Sequence, residues 1–214
     1  MYRNQLLFAA AFAVSFVLAG QSARAVMFAI DVDSTNGGTA IDTAPDFNSL
    51  DGTGGNGSSL LLDGVTFAVF SADDDRNRAG GNDLTKDFIF DDGVGQAVGL
   101  TVTDLPAGLW RAEVWSWDNS FPTTVGDQIV GITQFGPPEI IFTNSFTPDP
   151  DDPFVFTFDS TGLANGFGIF TRENNSANRA RFNALRLTAV PEPATATLGL
   201  LGMCGLMARR RKRH

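Results

Sequence analysis

Residues 154–158 read Phe-Val-Phe-Thr-Phe. On an extended chain successive side chains alternate between two faces. Phe154, Phe156 and Phe158 therefore share one face, and Val155 and Thr157 share the other. A helix would scatter the three rings around its circumference, so this stretch reads as a strand with one face in a core. The same pattern extends in both directions. Turn signals rich in Gly, Asn, Asp and Pro recur about every ten residues, with β-favouring runs between them. The strands expected are Met27–Val32, Leu60–Phe70, Asp87–Phe90, Ala97–Thr103, Leu109–Asp118, Gln128–Gln134, Ile140–Thr143, Phe154–Phe158, Phe167–Arg172 and Arg181–Thr188. No part of residues 26–189 sustains a 3.6-residue period, and there is no internal repeat. Such strands joined by such turns predict an all-β fold, a two-sheet sandwich of jelly-roll type.

The two ends read differently from this body. Arg3, then the apolar run from Leu6 to Gly20, then Ala23-Arg24-Ala25, give the parts of a secretory signal in order. Residues 1–25 are therefore expected to be a signal helix that signal peptidase removes. At the other end Ala194–Ala208 is apolar but short for a membrane span, which takes roughly 20 residues. The basic run Arg209-Arg210-Arg211-Lys212-Arg213 extends it by snorkelling and holds the cytoplasmic side. Gly199, Gly202 and Gly205 are read as small residues in a transient transmembrane helix. The expected domains are thus 1–25, 26–189 and 190–214.

Val190-Pro191-Glu192-Pro193, an apolar span and a terminal basic cluster resemble the PEP-CTERM sorting signal of exopolysaccharide-producing Gram-negative bacteria. The resemblance implies that an exosortase recognises Pro191, Glu192 and Pro193 and removes the tail. The inner membrane is then a transient anchor, and the body ends at the cell surface, in the outer envelope or in the extracellular matrix.

Composition narrows the chemistry of the body. Residues 26–189 carry 23 acidic and 8 basic side chains, a net of −15, which the basic tail masks in the whole-chain value of −9. Such a body does not bind nucleic acid through general electrostatics. The sole Cys is Cys204 and the sole His is His214, both in the tail. The body therefore has no disulfide, no Cys/His zinc site and no Ser-His-Asp or Cys-His machinery. A carboxylate pair is the main catalytic option left.

Asp75-Arg76-Asn77-Arg78-Ala79-Gly80-Gly81-Asn82-Asp83-Leu84-Thr85-Lys86-Asp87-Phe88 contains R-x-R, glycines and D-x-L-x-x-D-F. Leu105-Pro106-Ala107-Gly108-Leu109-Trp110 follows, then Asp118, and later Arg181-Phe182-Asn183-Ala184-Leu185-Arg186-Leu187. Together these resemble the galactose-binding-like β-sandwich modules attached to bacterial pectin-processing enzymes, and malectin-like proteins. The resemblance implies that fold and a glycan-binding role. No Gly-Asp-Ser esterase block follows, so it does not imply hydrolysis.

Three candidate sites emerge. In LWRAEVWSWD, Trp110 is expected in the core, leaving Arg111, Glu113, Trp115 and Trp117 on the opposite face as a sugar-stacking platform. The bland alternative is that these rings are core or covered by a loop. Arg76 and Arg78, beside Asp83, suit gripping of a uronate carboxylate, or else structural ion pairs. Asp31 and Asp33, in Asp31-Val32-Asp33-Ser34-Thr35-Asn36-Gly37-Gly38, alternate as hard-oxygen ligands for a structural Ca²⁺, although the EF-hand register fails at Asn36 and Asp42. Asp73, Asp74 and Asp75 read as a solvated turn, and Asp149, Asp151 and Asp152 as a rigid exposed loop. Gly52, Gly54 and Gly57 match G-x-G-x-x-G within a loop over 42–59, but a β-like run follows where a dinucleotide site needs a helix.

The function expected is an exported, exosortase-sorted surface or matrix protein. Its sandwich is non-catalytic and binds glycan or exopolysaccharide. The alternatives are a purely structural envelope protein, or a carboxylate-based glycan hydrolase or lyase.

Overall fold

The computed structural model describes residues 25–34, 43–55, 58–78, 82–91, 93, 96–118, 128–134, 139–161, 163, 166–173 and 179–191. The expected signal helix, the expected tail helix, and Glu192, Pro193, Arg209, Arg210 and Arg211 lie outside them. The chain divides into two compact units, Met27–Val190 and Met1–Val26 with Pro191–His214. The described residues are all-β and contain no helix, hence none long and apolar enough to cross a membrane.

Among its described residues the Met27–Val190 unit has fourteen strands: β1 Met27–Asp33, β2 Asn48–Asp51, β3 Ser59–Leu62, β4 Val65–Phe70, β5 Asp74–Asn77, β6 Asp87–Asp91 and β7 Ala97–Thr103, then β8 Leu109–Trp115, β9 Gln128–Gln134, β10 Glu139–Phe146, β11 Phe154–Asp159, β12 Phe167–Glu173, β13 Ala180–Phe182 and β14 Ala184–Ala189. They form a five-stranded first sheet in the order β11-β8-β14-β1-β2, a six-stranded second sheet β10-β9-β12-β7-β4-β3, and a small sheet β13-β6-β5. All pairings are antiparallel except β1 with β2.

The two large sheets face each other across one apolar core. From β1 of the first sheet Phe28, Ile30 and Val32 point in, and from β4 of the second sheet Val65, Phe67 and Val69 do. Aromatic contacts span the gap: Phe28 to Phe67 at 5.6 Å, Phe142 to Phe156 stacked at 4.9 Å, and Phe158 to Phe167 at 5.3 Å between ring centroids. The alternation read in residues 154–158 holds. Phe156 is buried, Phe154 and Phe158 are half-buried, and Val155 and Thr157 are exposed. Each fully buried apolar side chain stabilises the unit by about 1.5–3 kcal/mol before entropy is counted.

The structure differs from the sequence reading at four places. The run 60–70 is a hairpin, because Asp63 and Gly64 both take positive φ, 48° and 87°, the type I′ turn that two-residue hairpins favour. The run 181–188 is two strands in two different sheets, split at Asn183. The expected loop over 42–59 contains β2, which pairs in parallel with β1. Of Asp73–Asp75 only Asp73 lies in an exposed bend, as expected of a solvated turn. Asp74 and Asp75 begin β5, and Asp75 is buried.

Candidate functional site

Asn183 explains how one short segment serves two sheets. Fully buried, it sits between β13 and β14 and makes four hydrogen bonds. Its N–H donates to Trp115 O at 3.0 Å, and its C=O accepts from Val32 N at 2.9 Å. Its side chain donates Nδ2 to Asp87 O at 2.7 Å and accepts the Trp117 N–H at Oδ1 at 2.6 Å. An amide carries both donor and acceptor capacity, which no apolar residue of that size offers. Asn183 therefore ties β1, β6 and β8 together at the junction.

The small sheet has two unlike faces. Cross-strand register puts Asp74, Arg76, Phe88, Phe90 and Arg181 on the outer face, and Asp75, Asn77, Asp87, Ile89 and Phe182 on the inner one. Phe88 and Phe90 are nonetheless buried, because arginines cover them. The guanidinium carbons of Arg76 and Arg179 each lie 5.0 Å from the Phe90 ring centroid, and that of Arg78 lies 5.8 Å from Phe88. Cation–π attraction of this kind stabilises by about 0.5–2 kcal/mol according to desolvation. Behind them Asp118, buried, faces Arg78 at 3.4 Å and Arg181 at 3.5 Å. Burial pulls the Arg181 guanidinium below its ordinary value, and Asp118 opposes the shift. Arg76 pairs with Asp74 at 2.6 Å, both partly exposed. Four of the eight basic side chains of residues 26–189 thus stand together on one side of a three-stranded sheet. Arg76 and Arg78 were legible as candidates. Arg179 and Arg181 were missed; Arg181 lies in β13 and Arg179 just before it, and their spacing of two fits one face.

The Trp-rich strand is arranged differently from the expected platform. Trp110 points into the core as expected, stacked on Phe28, with Nε1 donating to Pro106 O at 3.0 Å. Trp115 lies on the opposite face but is only 6 % exposed. Phe47 meets its ring edge-on at 5.6 Å, and Arg186 lies over both rings. β8 ends at Trp115, so Trp117 follows the strand and stands half-buried rather than beside it as a second stacking face. Glu113, also buried, is clasped by Arg111 at 2.8 Å and Arg186 at 3.4 Å. The structure thus gathers Arg111, Glu113 and Trp115 into a covered ion-pair cluster. A bare aromatic pair is not formed, because the Phe47 segment lies over it.

Asp31 and Asp33 lie on that same outer face of the first sheet, since Phe28, Ile30 and Val32 take the core side. Both are fully buried. The segment after β1 returns over them: Ala44 N–H donates to Asp31 Oδ2 at 2.8 Å, and Thr43 Oγ1 donates to Asp33 Oδ2 at 2.7 Å. The remaining oxygens, Asp31 Oδ1 and Asp33 Oδ1, have no hydrogen-bond partner among the described residues. Burial pushes the Asp31 carboxyl up to about 8, with Asp33, Asp87 and Asp83 adding to the shift and the Ala44 N–H opposing it. Next to them Ser34 Oγ donates to Asp75, whose other oxygen accepts from Gly54 N at 2.8 Å, and Asn77 Nδ2 donates to Ser34 O at 3.0 Å. Among the described residues no three His, Cys, Asp or Glu side chains form a ready metal-binding group. Asp149, Asp151 and Asp152 are exposed, as expected, with Asp149 Oδ1 accepting from Asp151 N at 2.8 Å.

Residues 189–213 match the PEP-CTERM protein-sorting motif. The motif marks an exported protein that an exosortase processes and sorts to the surface of a Gram-negative cell. No curated protein matches the chain. Among solved structures, the chain is similar to the crystal structure of protein YXIM_BACsu from Bacillus subtilis, at 14 % identity and a TM-score of 0.48. That match covers 77 % of this chain and 40 % of the other, so the chain spans well under half the length of that protein.

Proposed function

We propose that the body is a non-catalytic, galactose-binding-like β-sandwich of jelly-roll type that holds acidic polysaccharide at the cell surface or in the extracellular matrix. One observation carries the reading: Arg76, Arg78, Arg179 and Arg181 gather on the outer face of the small sheet in a body of net charge −15. A protein so acidic repels polyanions everywhere else. Clustering half of its cations around Phe88 and Phe90 makes one place where a uronate carboxylate meets a planar guanidinium fork. Arg76 and Arg179 are the residues for direct contact, since Arg76 is partly and Arg179 well exposed. Arg78, Arg181 and Asp118 hold the sheet behind them. The non-catalytic reading rests on the lack of His and Cys in residues 26–189.

The test is binding of the purified chain to polygalacturonate and to an uncharged polysaccharide of similar length, at rising salt. Binding to the polyuronate that weakens with salt, and falls at least tenfold in Arg76→Ala plus Arg179→Ala, is the expected result. Equal binding to the neutral chain, or polyuronate binding indifferent to both substitutions, overturns the reading.

A further inference from the structure

The Asp31–Asp33 pair poses a physical problem that the rest of the molecule does not solve. Each carboxylate is fully enclosed, and each has one oxygen satisfied by the returning segment and one left over. A buried carboxylate oxygen without a partner is costly, and ionising both neighbouring carboxylates at once would compound the cost. Asp83 and Asp87 add negative potential at Asp31. Among the described residues no Arg or Lys forms an ion pair with either Asp31 or Asp33, whereas buried Glu113 and Asp118 each meet two arginines. Two enclosed oxygens two positions apart on one strand face, both unsatisfied, call for a positive charge small enough to be enclosed with them.

We propose that the outer face of β1 and the segment Thr43–Ala44 together form a calcium site, with Asp31 Oδ1 and Asp33 Oδ1 as its anionic ligands. The side-chain atoms offered there, from Asp31, Asp33 and Thr43, are hard oxygens, the set that suits calcium, which takes six to eight such ligands at about 2.3–2.6 Å. Two carboxylates are fewer than a ready three-acid group. Neutral oxygens complete the shell, the Thr43 hydroxyl being the nearest, since it already bonds to Asp33. Bound there, the ion joins β1 to the residues that lie over the outer face of the first sheet. An exported protein meets calcium at concentrations, about 1 mM, at which extracellular calcium modules are filled. The site is separate from the arginine face, and either assignment can fail without the other.

The experiment is calorimetric titration of calcium into chelator-treated full-length chain, with melting curves in calcium and in chelator. One saturable site per chain and a melting temperature higher by several degrees in calcium are expected. Asp31→Asn plus Asp33→Asn abolishes both effects, yet in chelator melts no lower than the parent, because amides remove the buried charge. Asp149→Asn, an exposed acid elsewhere, leaves the titration unchanged and so separates a site from counter-ion condensation on an acidic surface. Should the double variant fail to fold, terbium replaces it as the probe on the parent chain. Trp115 lies two strands from Asp31 in register, about 10 Å at the usual strand spacing, close enough to sensitise terbium emission. Calcium must then quench that emission at one equivalent. No saturable calcium binding, a melting shift that survives in the double variant, or emission that calcium does not displace overturns the proposal.

Discussion

Glu113 and Asp31 are carboxylates on the same outer face of the first sheet, both buried, and they are treated in opposite ways. Glu113 is met by Arg111 and Arg186, and Arg186 is itself stacked over Phe47 and Trp115. Among the described residues Asp31 is met by one backbone N–H and no cation, and its carboxyl is pushed up to about 8. The body has 23 acids and 8 bases, so arginines cannot answer every acid. Where they go is informative. Four serve the small sheet and two clasp Glu113, and among the described residues none pairs with Asp31 or Asp33. The contrast teaches that in a very acidic fold the pairing of a buried acid says more about its role than its burial does.

That contrast can be broken in graded ways. The largest effect should come from Asp118, the other acid with two arginines. Asp118→Ala leaves Arg181 buried without its partner, and removal of one member of a buried pair destabilises by about 3–5 kcal/mol. Denaturant titration reads this directly, and a loss under 1 kcal/mol would mean that water already screens the pair. Asn183→Ala should follow closely, at about 2–4 kcal/mol, because Asp87 O and Trp117 N–H lose their partner inside the fold.

Next comes Arg186→Met, which keeps the stem but removes the charge. It should cost about 1–3 kcal/mol and make Glu113 behave more like Asp31. The Asp31 side of the contrast has a pH signature in cation-free protein. Its folded carboxyl holds a proton up to about pH 8, whereas the unfolded carboxyl releases it near its ordinary value of 3.8. The folded state therefore binds more protons between those values, so stability falls as pH rises from about 4 to about 8. Asp31→Asn should flatten that slope, and an unchanged slope in the variant would assign it to other groups. The smallest effect belongs to Arg76→Ala. Its ion pair with Asp74 is partly exposed, so stability should move by no more than about 1 kcal/mol. Its influence should appear in polyuronate binding instead.

Much of the fold was legible because its signal is local. β7 and β9 begin and end where alternation and turn residues place them. The Asp63–Gly64 hairpin was equally local, a D-G pair between apolar runs, and was hidden only because Leu60–Leu62 and Val65–Phe70 on its two sides were read as one strand. β2 and β5 were not legible for a different reason. Asn48–Asp51 offers Leu50 as its single apolar residue, and its pairing with β1 is parallel and remote in sequence. Asp74–Asn77 is wholly polar, and it is a strand because β6 supplies its ladder while Ser34 and Gly54 satisfy Asp75. The same limit applies to the sites. Trp115 could be placed on the outer face from its spacing, but its cover, Phe47, comes from a segment far away in the sequence. Alternation marked Asp31 and Asp33 as a pair. Only the folded chain leaves each with an oxygen that nothing in the described residues answers.

The position of β14 has a mechanical consequence. It lies in the middle of the first sheet, hydrogen-bonded to β1 on one side and β8 on the other, and Val190 N–H still bonds to Leu109 O at 2.9 Å. Pro191, the first residue of the Pro-Glu-Pro stretch, comes directly after that bond. Tension applied through the C-terminus is therefore borne by an interior strand gripped along both flanks, where two ladders must slide at once, rather than by an edge strand that can be peeled one bond at a time. A body moored to an envelope or matrix by that end is fastened at its strongest seam.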